Sequence, residues 1–289
     1  MKILALVASQ NSTLEDLKTN GKRQMQAIIG KDKELLFCEY STIEICRNGE
    51  LAITCLGETI DRPDYFWPLL GSTDGFIVEN MLQDAGIPSV LNLRELQVAR
   101  SKIATYQRLA QNGVRVPDTI VFFKDSDPQT LINRFGYPFV VKPDSGFGGI
   151  GVELIHNEQE LKDYFATLSY GQAYVAQEYI ATSRGRDIRV VILHGKYYFS
   201  MERQATNPDE FRSNVHVGGV TQVKTLTEEE KVFCEKVASI FNLPIIGLDL
   251  MIGDGEYVLA EVNAFPGMPI EKMVAAYASV IEHCVEEHV

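Results

Sequence analysis

Cysteine is scarce in this 289-residue chain and poorly spaced for ligation. The five cysteines, at positions 38, 46, 55, 234 and 284, include no CxxC pair, and their number is odd. That argues against a zinc site and a disulfide framework, and for free thiols in a reducing cytoplasm. Long apolar runs are missing as well. The run from Ile3 to Ala8 is too short for a signal-peptide core, and nowhere do about 18 apolar residues follow one another. A soluble, cytoplasmic protein without a membrane span is expected. Positive charge is in deficit, with 27 basic against 39 acidic residues and a net charge of −12. A general nucleic-acid-binding surface is therefore not expected, although a locally basic pocket remains compatible with that total. No internal repeat, low-complexity stretch or Pro/Gly-rich linker separates parts of the chain. No convincing Ser/His or Cys/His pair offers a side-chain nucleophile.

What is present is a hydrophobic content of 45%, enough for a substantial core shared by two or three lobes. Residues 1–92 read as a small α/β unit. A strand at Lys2–Val7 leads to a polar helical stretch around Leu14–Ile29. Short strands follow near Leu35–Tyr40, Ile43–Cys46 and Leu51–Leu56, then a helix over Ser72–Ala85 and a short strand at Ile87–Val90. From Leu93 to Asn112 the pattern predicts one helix, with Leu96, Ile103, Tyr106 and Leu109 on its apolar side and Gly113 as the stop. A strand at Thr119–Phe123 and a helix from about Pro128 to Phe135 come next.

The middle of the chain carries a glycine-rich loop in an informative setting. Phe139–Lys142 reads as a strand ending in a lysine. Asp144 to Gly151 then contains Gly146, Gly148, Gly149 and Gly151, and Val152–Ile155 is a strand again. A dinucleotide fingerprint needs a helix directly after its glycines, and a P-loop ends in Gly-Lys-Ser/Thr. This loop has neither, so it reads as a β-hairpin flap. Glycine amides can approach an oxyanion closely, and Lys142 places a point charge at the flap base. The alternative, an ordinary mobile hairpin with a surface lysine, accounts less well for four glycines in six residues.

Carboxylates and cations gather further on. Asp187 and Arg189 share a face of one strand, with Arg203 on the partner strand, and cross-strand ion pairing is the plain structural reading. The polar run Glu210 to His216 contains Arg212 and Asn214, donors suited to an anion. Gly247–Ile252 and Glu256–Asn263 read as a hairpin. A loop centred on Gly255 puts Asp249 opposite Glu261, whereas a two-residue turn at Asp254-Gly255 shifts the register by one. Alternation puts Glu261 and Asn263 on one face. Apolar neighbours imply burial, where two carboxylates and an amide oxygen suit a hard cation such as Mg²⁺ carried with phosphates. A satisfied ion pair or an acidic surface hairpin is the alternative.

Taken in order, these segments resemble the ATP-grasp superfamily, and most closely its RimK-type glutamate ligases. The matching segments are Ser101-Lys102; Val141-Lys142 with the flap; Gln177 to Ile180; Asp187 to Arg189; Arg203-Gln204-Ala205; Glu210 to His216; and Gly247-x-Asp249 with Glu261 to Gly267. The resemblance implies an α/β (α+β) ATP-grasp fold. An N-terminal pre-ATP-grasp domain over 1–92 would precede two lobes clasping ATP, a central one over 93–178 and a C-terminal one over 179–289. It implies that Lys102, Lys142 and the flap contact the nucleotide phosphates. Glu178, Tyr179, Ile180 and Asp187 would form the rest of the nucleotide pocket. Asp249, Glu261 and Asn263 would hold two Mg²⁺ ions, with Mn²⁺ as an alternative. Arg189, Arg203, Arg212 and Asn214 would surround the γ-phosphate and the reacting carboxylate. His216 would orient the Arg212–Asn214 loop or a substrate carboxylate, in preference to accepting a proton from the amine.

The implied reaction joins an amino acid, glutamate favoured, to the carboxylate of a peptide, protein tail or small molecule through an acylphosphate. A biosynthetic ligase acting on a carrier protein or free amino acid is the second reading, and a non-catalytic ATP-binding regulatory module the third. Homo-oligomerisation is implied by the family habit. Two positions depart from the pattern. Val217 stands where an arginine usually follows the histidine, and Trp67 to Gly71 lacks the arginine of a Pro-Arg-x-Gly motif. Both changes bear on the acceptor rather than on ATP.

Overall fold

Continuous burial on both faces marks the first sheet. In the computed structural model, which describes residues 1–7, 33–40, 46–47, 50–51, 53–55, 58–59, 62–70, 75–146, 148–207, 209–213, 218–253 and 255–287, strand β1 (Lys2–Val7) lies between β2 (Glu34–Glu39) and β3 (Tyr65–Leu70). Both neighbours run parallel to β1, and Ile3 to Leu6 are fully buried, as a parallel sheet covered on both sides requires. The sequence pattern gives no strand at β3 because Pro68 interrupts it. The structure puts β3 at the end of the three-stranded order, where a missing N–H costs little. Beyond it, the strand expected at Ile87–Val90 reduces to an isolated bridge between Ser89 and Phe66. Two short ladders pair Cys46–Arg47 with Glu50–Leu51 and Thr54–Cys55 with Glu58–Thr59. The helix expected at Leu14–Ile29 lies outside the described residues.

Helix α1 (Gly75–Asp84) matches the described part of the expected helix. The single helix expected from Leu93 to Asn112 is instead two, α2 (Leu93–Arg100) and α3 (Lys102–Gln111). Ser101 breaks it. Its backbone is extended, and its hydroxyl accepts a hydrogen bond from the Ala104 amide at 3.1 Å, capping α3. Asp144 holds the break in place, its carboxylate accepting from Ser101 Oγ at 3.1 Å and from the Ile103 amide at 2.8 Å.

Strand β4 (Thr119–Phe122) and helix α4 (Pro128–Phe135) follow the pattern closely, with Asp127 as N-cap and Pro128 opening the helix. Then come β5 (Phe139–Pro143), β6 (Glu153–Ile155), α5 (Glu158–Thr167) and β7 (Tyr174–Glu178). These strands form an antiparallel sheet in the order β6-β5-β7-β4, with Phe122, Phe139, Val141, Tyr164 and Tyr174 in its core. Strands β8 (Arg186–Leu193), β9 (Lys196–Gln204) and β10 (Val220–Val223), helix α6 (Glu228–Ala238), and strands β11 (Ile245–Ile252) and β12 (Tyr257–Asn263) complete the pattern. They give a five-stranded sheet, β10-β9-β8-β11-β12, covered by α6. The chain closes on α7 (Ile270–Glu287).

By their packing the residues fall into two units. The first comprises Met1–Gln97, Asn242–Ile245 and Phe265–Val289, and the second Val98–Phe241 and Ile246–Ala264. The sequence groups 179–289 together. In the structure α7 belongs with the first unit, where Tyr277 meets Trp67 edge to face at 5.3 Å between centroids. The cores of the two long sheets both lie in the second unit.

Helix α6 starts with a capping box. Thr227 Oγ1 accepts from the Glu230 amide at 3.2 Å, and the Glu230 carboxylate accepts from the Thr227 amide at 2.7 Å. Thr227→Ala is expected to lower stability by about 1 kcal/mol without altering nucleotide affinity. Urea unfolding beside nucleotide titration checks this, and an unchanged midpoint would show that the cap contributes nothing.

Candidate active site

The hairpin of β5 and β6 sets Val141 opposite Glu153, so the glycine loop projects from its end as a flap. Gly151 sits at φ +70°, and a Cβ there would come within 3.0 Å of the Pro143 ring. Only glycine closes this loop without moving the flap base. Lys142, at that base, donates to Tyr106 Oη at 3.0 Å and lies 5.6 Å from the Tyr106 ring centroid. Burial pulls the Lys142 ammonium down to about 8, and Glu261 and Asp249 hold it from falling further. A desolvated lysine of this kind is one that phosphate would satisfy.

The five-stranded sheet carries a buried chain of alternating charges. Asp187 on β8 faces Arg203 on β9, as their register dictates, and the Arg203 guanidinium grips both Asp187 oxygens, Nε at 2.7 Å from Oδ1. The same guanidinium donates to Asp249 Oδ2 at 2.8 Å. Arg189, two residues from Asp187, turns to Asp249 and binds it bidentately at 2.8 and 2.7 Å. Asp249 is thus buried against two guanidinium groups. Burial pushes its carboxyl up, but Arg189 and Arg203 together outweigh this and hold it well below the usual carboxylate range. Burial raises Asp187 against the pull of Arg203. Arg203 is held protonated by both aspartates against the desolvation that opposes it.

Beside this network, the hairpin of β11 and β12 contains an irregularity that decides its register. Near the turn Ile252 pairs with Tyr257 and Leu250 with Leu259, which alone would set Asp249 opposite Ala260. Ala260 is instead an extra residue, so Asp249 faces Glu261 and Gly247 faces Asn263. Glu261 Oε1 lies 3.3 Å from Lys102 Nζ, which also donates to the Asp144 carbonyl at 3.3 Å. Asn263 Nδ2 is buried without a partner. Two carboxylates and an amide thus stand on adjacent strands, oxygen donors of the kind a hard cation such as Mg²⁺ takes, with both Asp249 oxygens accepting from arginines. Among the described residues no group of three or more His, Cys, Asp or Glu is placed to hold a metal ion.

A cleft with about 980 Å³ of empty space, solvent at its mouth included, opens within the second unit. Lys102, Lys142, Gly146, Gly148 and Gly149 line it. So do Glu178, Tyr179, Ile180 and Asp187, with Arg203, Arg212, Asp249 and Glu261. Gly151, Arg189 and Asn263 are not among the lining residues, and Asn214 and His216 lie outside the described residues. The Glu178 side chain is engaged, accepting from the Asp118 amide at 2.9 Å and pairing with Arg115 at 2.7 Å. That leaves the following backbone, Tyr179 and Ile180, facing the cleft. Arg212 is held bidentately by Glu210 at 2.9 and 2.8 Å and donates to the flap carbonyl of Gly149 at 2.9 Å.

Sequence reasoning passed over Tyr106, Glu210 and Arg186 as site residues, although Arg186 lines the cleft. Tyr106 carried one usable signal: it lies four residues after Lys102, so a helix puts both on one face.

Comparison with known proteins agrees with this geometry. Residues 99–280 match the family model of the RimK-like ATP-grasp domain. A protein of Methanococcoides burtonii named "probable alpha-L-glutamate ligase" is 33% identical over 217 residues, 73% of this chain and 72% of its own length. One of the same name from Alkalilimnicola ehrlichii is 34% identical over 224 residues, 75% and 73%. A D-alanine–D-alanine ligase from Bacillus anthracis superposes with a TM-score of 0.71 at 21% identity, covering 99% of this chain and 96% of its own.

Two outcomes follow from the electrostatics. Between about pH 8 and the ordinary lysine value near 10.5, Lys142 is largely neutral in the free protein, and a bound phosphate favours its charged form. Mg-ATP affinity should therefore fall as pH rises through this window, with proton uptake on binding. Calorimetry in buffers of different ionisation heat reads that uptake, and Lys142→Arg should abolish it because guanidinium keeps its proton. Asp249→Asn takes from Arg189 its carboxylate and from the buried Arg203 one of two, and should cost about 3–5 kcal/mol of stability. A loss below about 1 kcal/mol in urea unfolding would mean that water reaches the pair.

Proposed function

The chain belongs to the RimK-like ATP-grasp family, and on that footing we propose that this ligase joins an amino acid, glutamate first among candidates, to a carboxylate of a peptide or small molecule. The observation that carries the reading is the convergence of Lys102, Lys142, Arg203 and Arg212 with Asp249 and Glu261 on one cleft beneath a glycine flap. Cations beside carboxylates, with neither histidine nor cysteine among the described residues that line the cleft, suit phosphoryl transfer to a substrate carboxylate rather than nucleophilic catalysis by a side chain.

The acceptor carboxylate attacks the γ-phosphorus of ATP, the bond to the bridging oxygen breaks, and ADP leaves. The incoming amine attacks the resulting acylphosphate carbonyl, phosphate departs, and the amide forms as the amine loses a proton. Lys102 and Lys142 bind phosphate oxygens under the flap amides. Tyr179 and Ile180 present backbone groups to the adenine. Asp187 helps to bound the nucleotide pocket. Arg189, Arg203 and Arg212 neutralise charge on the γ-phosphate and the reacting carboxylate, and Asn214 and His216 belong to the same acceptor-side segment. Asp249, Glu261 and Asn263 are the residues that would hold Mg²⁺, whose chemistry is to neutralise and orient the phosphates.

Glutamate is favoured by the relatives from Methanococcoides burtonii and Alkalilimnicola ehrlichii, both named as probable alpha-L-glutamate ligases. A second reading, condensation of two free amino acids, draws on the D-alanine–D-alanine ligase fold that covers nearly the whole chain. Val217, in place of an arginine, bears on this choice because it removes a cation from the segment that would hold the acceptor.

Phosphate release from Mg-ATP against a panel of amino acids, alone and with short acidic peptides, tests the reading, with products identified by mass. A glutamate-dependent mass gain on a peptide is the expected result, whereas turnover with free amino acids alone would favour the second reading. Glu261→Gln should reduce turnover at least about 100-fold while leaving the unfolding midpoint within experimental scatter. Turnover close to that of the parent would remove Glu261 from the metal site.

A further inference from the structure

We propose that Tyr106 is a positioning residue, its hydroxyl fixing the flap-base lysine Lys142 against the strand that carries Glu261. The inference rests on the nucleotide-site reading above and assigns a role to a residue outside that machinery.

Helix α3 presents Lys102 and Tyr106 on one face, one turn apart, and the two grip consecutive residues of β12. Lys102 Nζ reaches the Glu261 carboxylate at 3.3 Å, and Tyr106 Oη donates to the Ala260 carbonyl at 2.5 Å. Ala260 is the extra residue of the bulge. An extra residue disturbs the ladder bonding at its own position, and here the Tyr106 hydroxyl is the partner its carbonyl finds.

The same hydroxyl oxygen accepts from Lys142 Nζ at 3.0 Å, so both its donor and its acceptor capacity are used at once. Tyr106 is only 4% exposed, and no bulk water competes for either bond. Burial raises the phenol's pKa, which keeps the proton that Ala260 receives. One oxygen therefore spans the gap between the four-stranded sheet, which carries Lys142, and the five-stranded sheet, which carries Glu261. Without it, the lysine loses its acceptor and the bulge carbonyl its donor, while every first-contact residue of the cleft remains in the sequence.

Tyr106→Phe keeps the ring, and with it the packing and the contact with the ammonium. Calorimetric titration of Mg-ATP into the parent, Tyr106→Phe, Lys142→Met and the double variant tests the proposal. Tyr106→Phe is expected to weaken binding at least about tenfold, the scale of a hydrogen bond to a charged group. In the Lys142→Met background the same change is expected to alter affinity less than about threefold, because the lysine it positions is gone. An equal loss in both backgrounds would assign Tyr106 a purely structural role and overturn the proposal. So would an unchanged Tyr106→Phe affinity beside normal parent binding. Failure of the parent to bind Mg-ATP would instead overturn the nucleotide site, and this proposal with it. Should Tyr106→Phe fold poorly, Tyr106→His takes its place in the same four-way comparison, where a loss confined to the background that keeps Lys142 supports the proposal and an equal loss in both backgrounds overturns it.

Discussion

The buried charge network around Asp249 is the constraint on which the second unit depends. Two aspartates and two arginines alternate from Asp187 through Arg203 and Asp249 to Arg189, so the charges cancel locally. Desolvating four ions is expensive, and replacing them by well-packed apolar side chains would serve stability as well or better. Their retention in the sheet centre therefore points to use. Removing any member leaves the charges unbalanced, which ties the fold of the five-stranded sheet to the identity of its polar residues.

That network also sets what an incoming ligand must do. Both oxygens of Asp249 are engaged by guanidinium groups, whereas Glu261 is paired with a lysine and Asn263 keeps an unpartnered amide nitrogen. The arginines occupy positions where a cation and a nucleotide would share the same carboxylate. Arg212 is similarly held, by Glu210, while it touches the flap through Gly149. Lys102, Arg189, Arg203 and Arg212 each already have an internal carboxylate partner, whereas Lys142 has the Tyr106 hydroxyl. Binding is then an exchange of partners rather than an encounter with bare charge, and this lets a strongly acidic chain keep a basic cleft without unpaired buried cations.

Much of this was legible in the sequence because the signals were local. The flap showed itself through glycines between two strands, and the facing pair Asp187 and Arg203 through alternation across a hairpin. Helix α4 was bounded by Asp127, Pro128 and Gly136 at its ends. The illegible parts depended on distant partners. Both registers of the last hairpin place apolar residues inward, so periodicity does not reveal that Ala260 bulges. An aromatic at helical spacing reads as core, and Tyr106 is core as well as a polar link, since its two partners come from strands far along the chain. Nothing near Arg189 indicates that it chooses Asp249 over Asp187. Pro68 masked β3 because the pattern carries no statement of which strand lies at an edge. The break at Ser101 was hidden by the apolar period that runs through it, and shows only where its hydroxyl caps the second helix.

The assignment of Phe265–Val289 to the first unit has a consequence for the order in which the molecule is made. As the chain emerges during synthesis, the N-terminal strands appear first, yet their helix α7, with Tyr277 set against Trp67, is translated only after the second unit is complete. The second unit can reach its native packing while the first still lacks a covering element. The sheet of the first unit is thus the later to close, and until it does, the Trp67 face of β3 waits for Tyr277, encoded about 200 residues downstream.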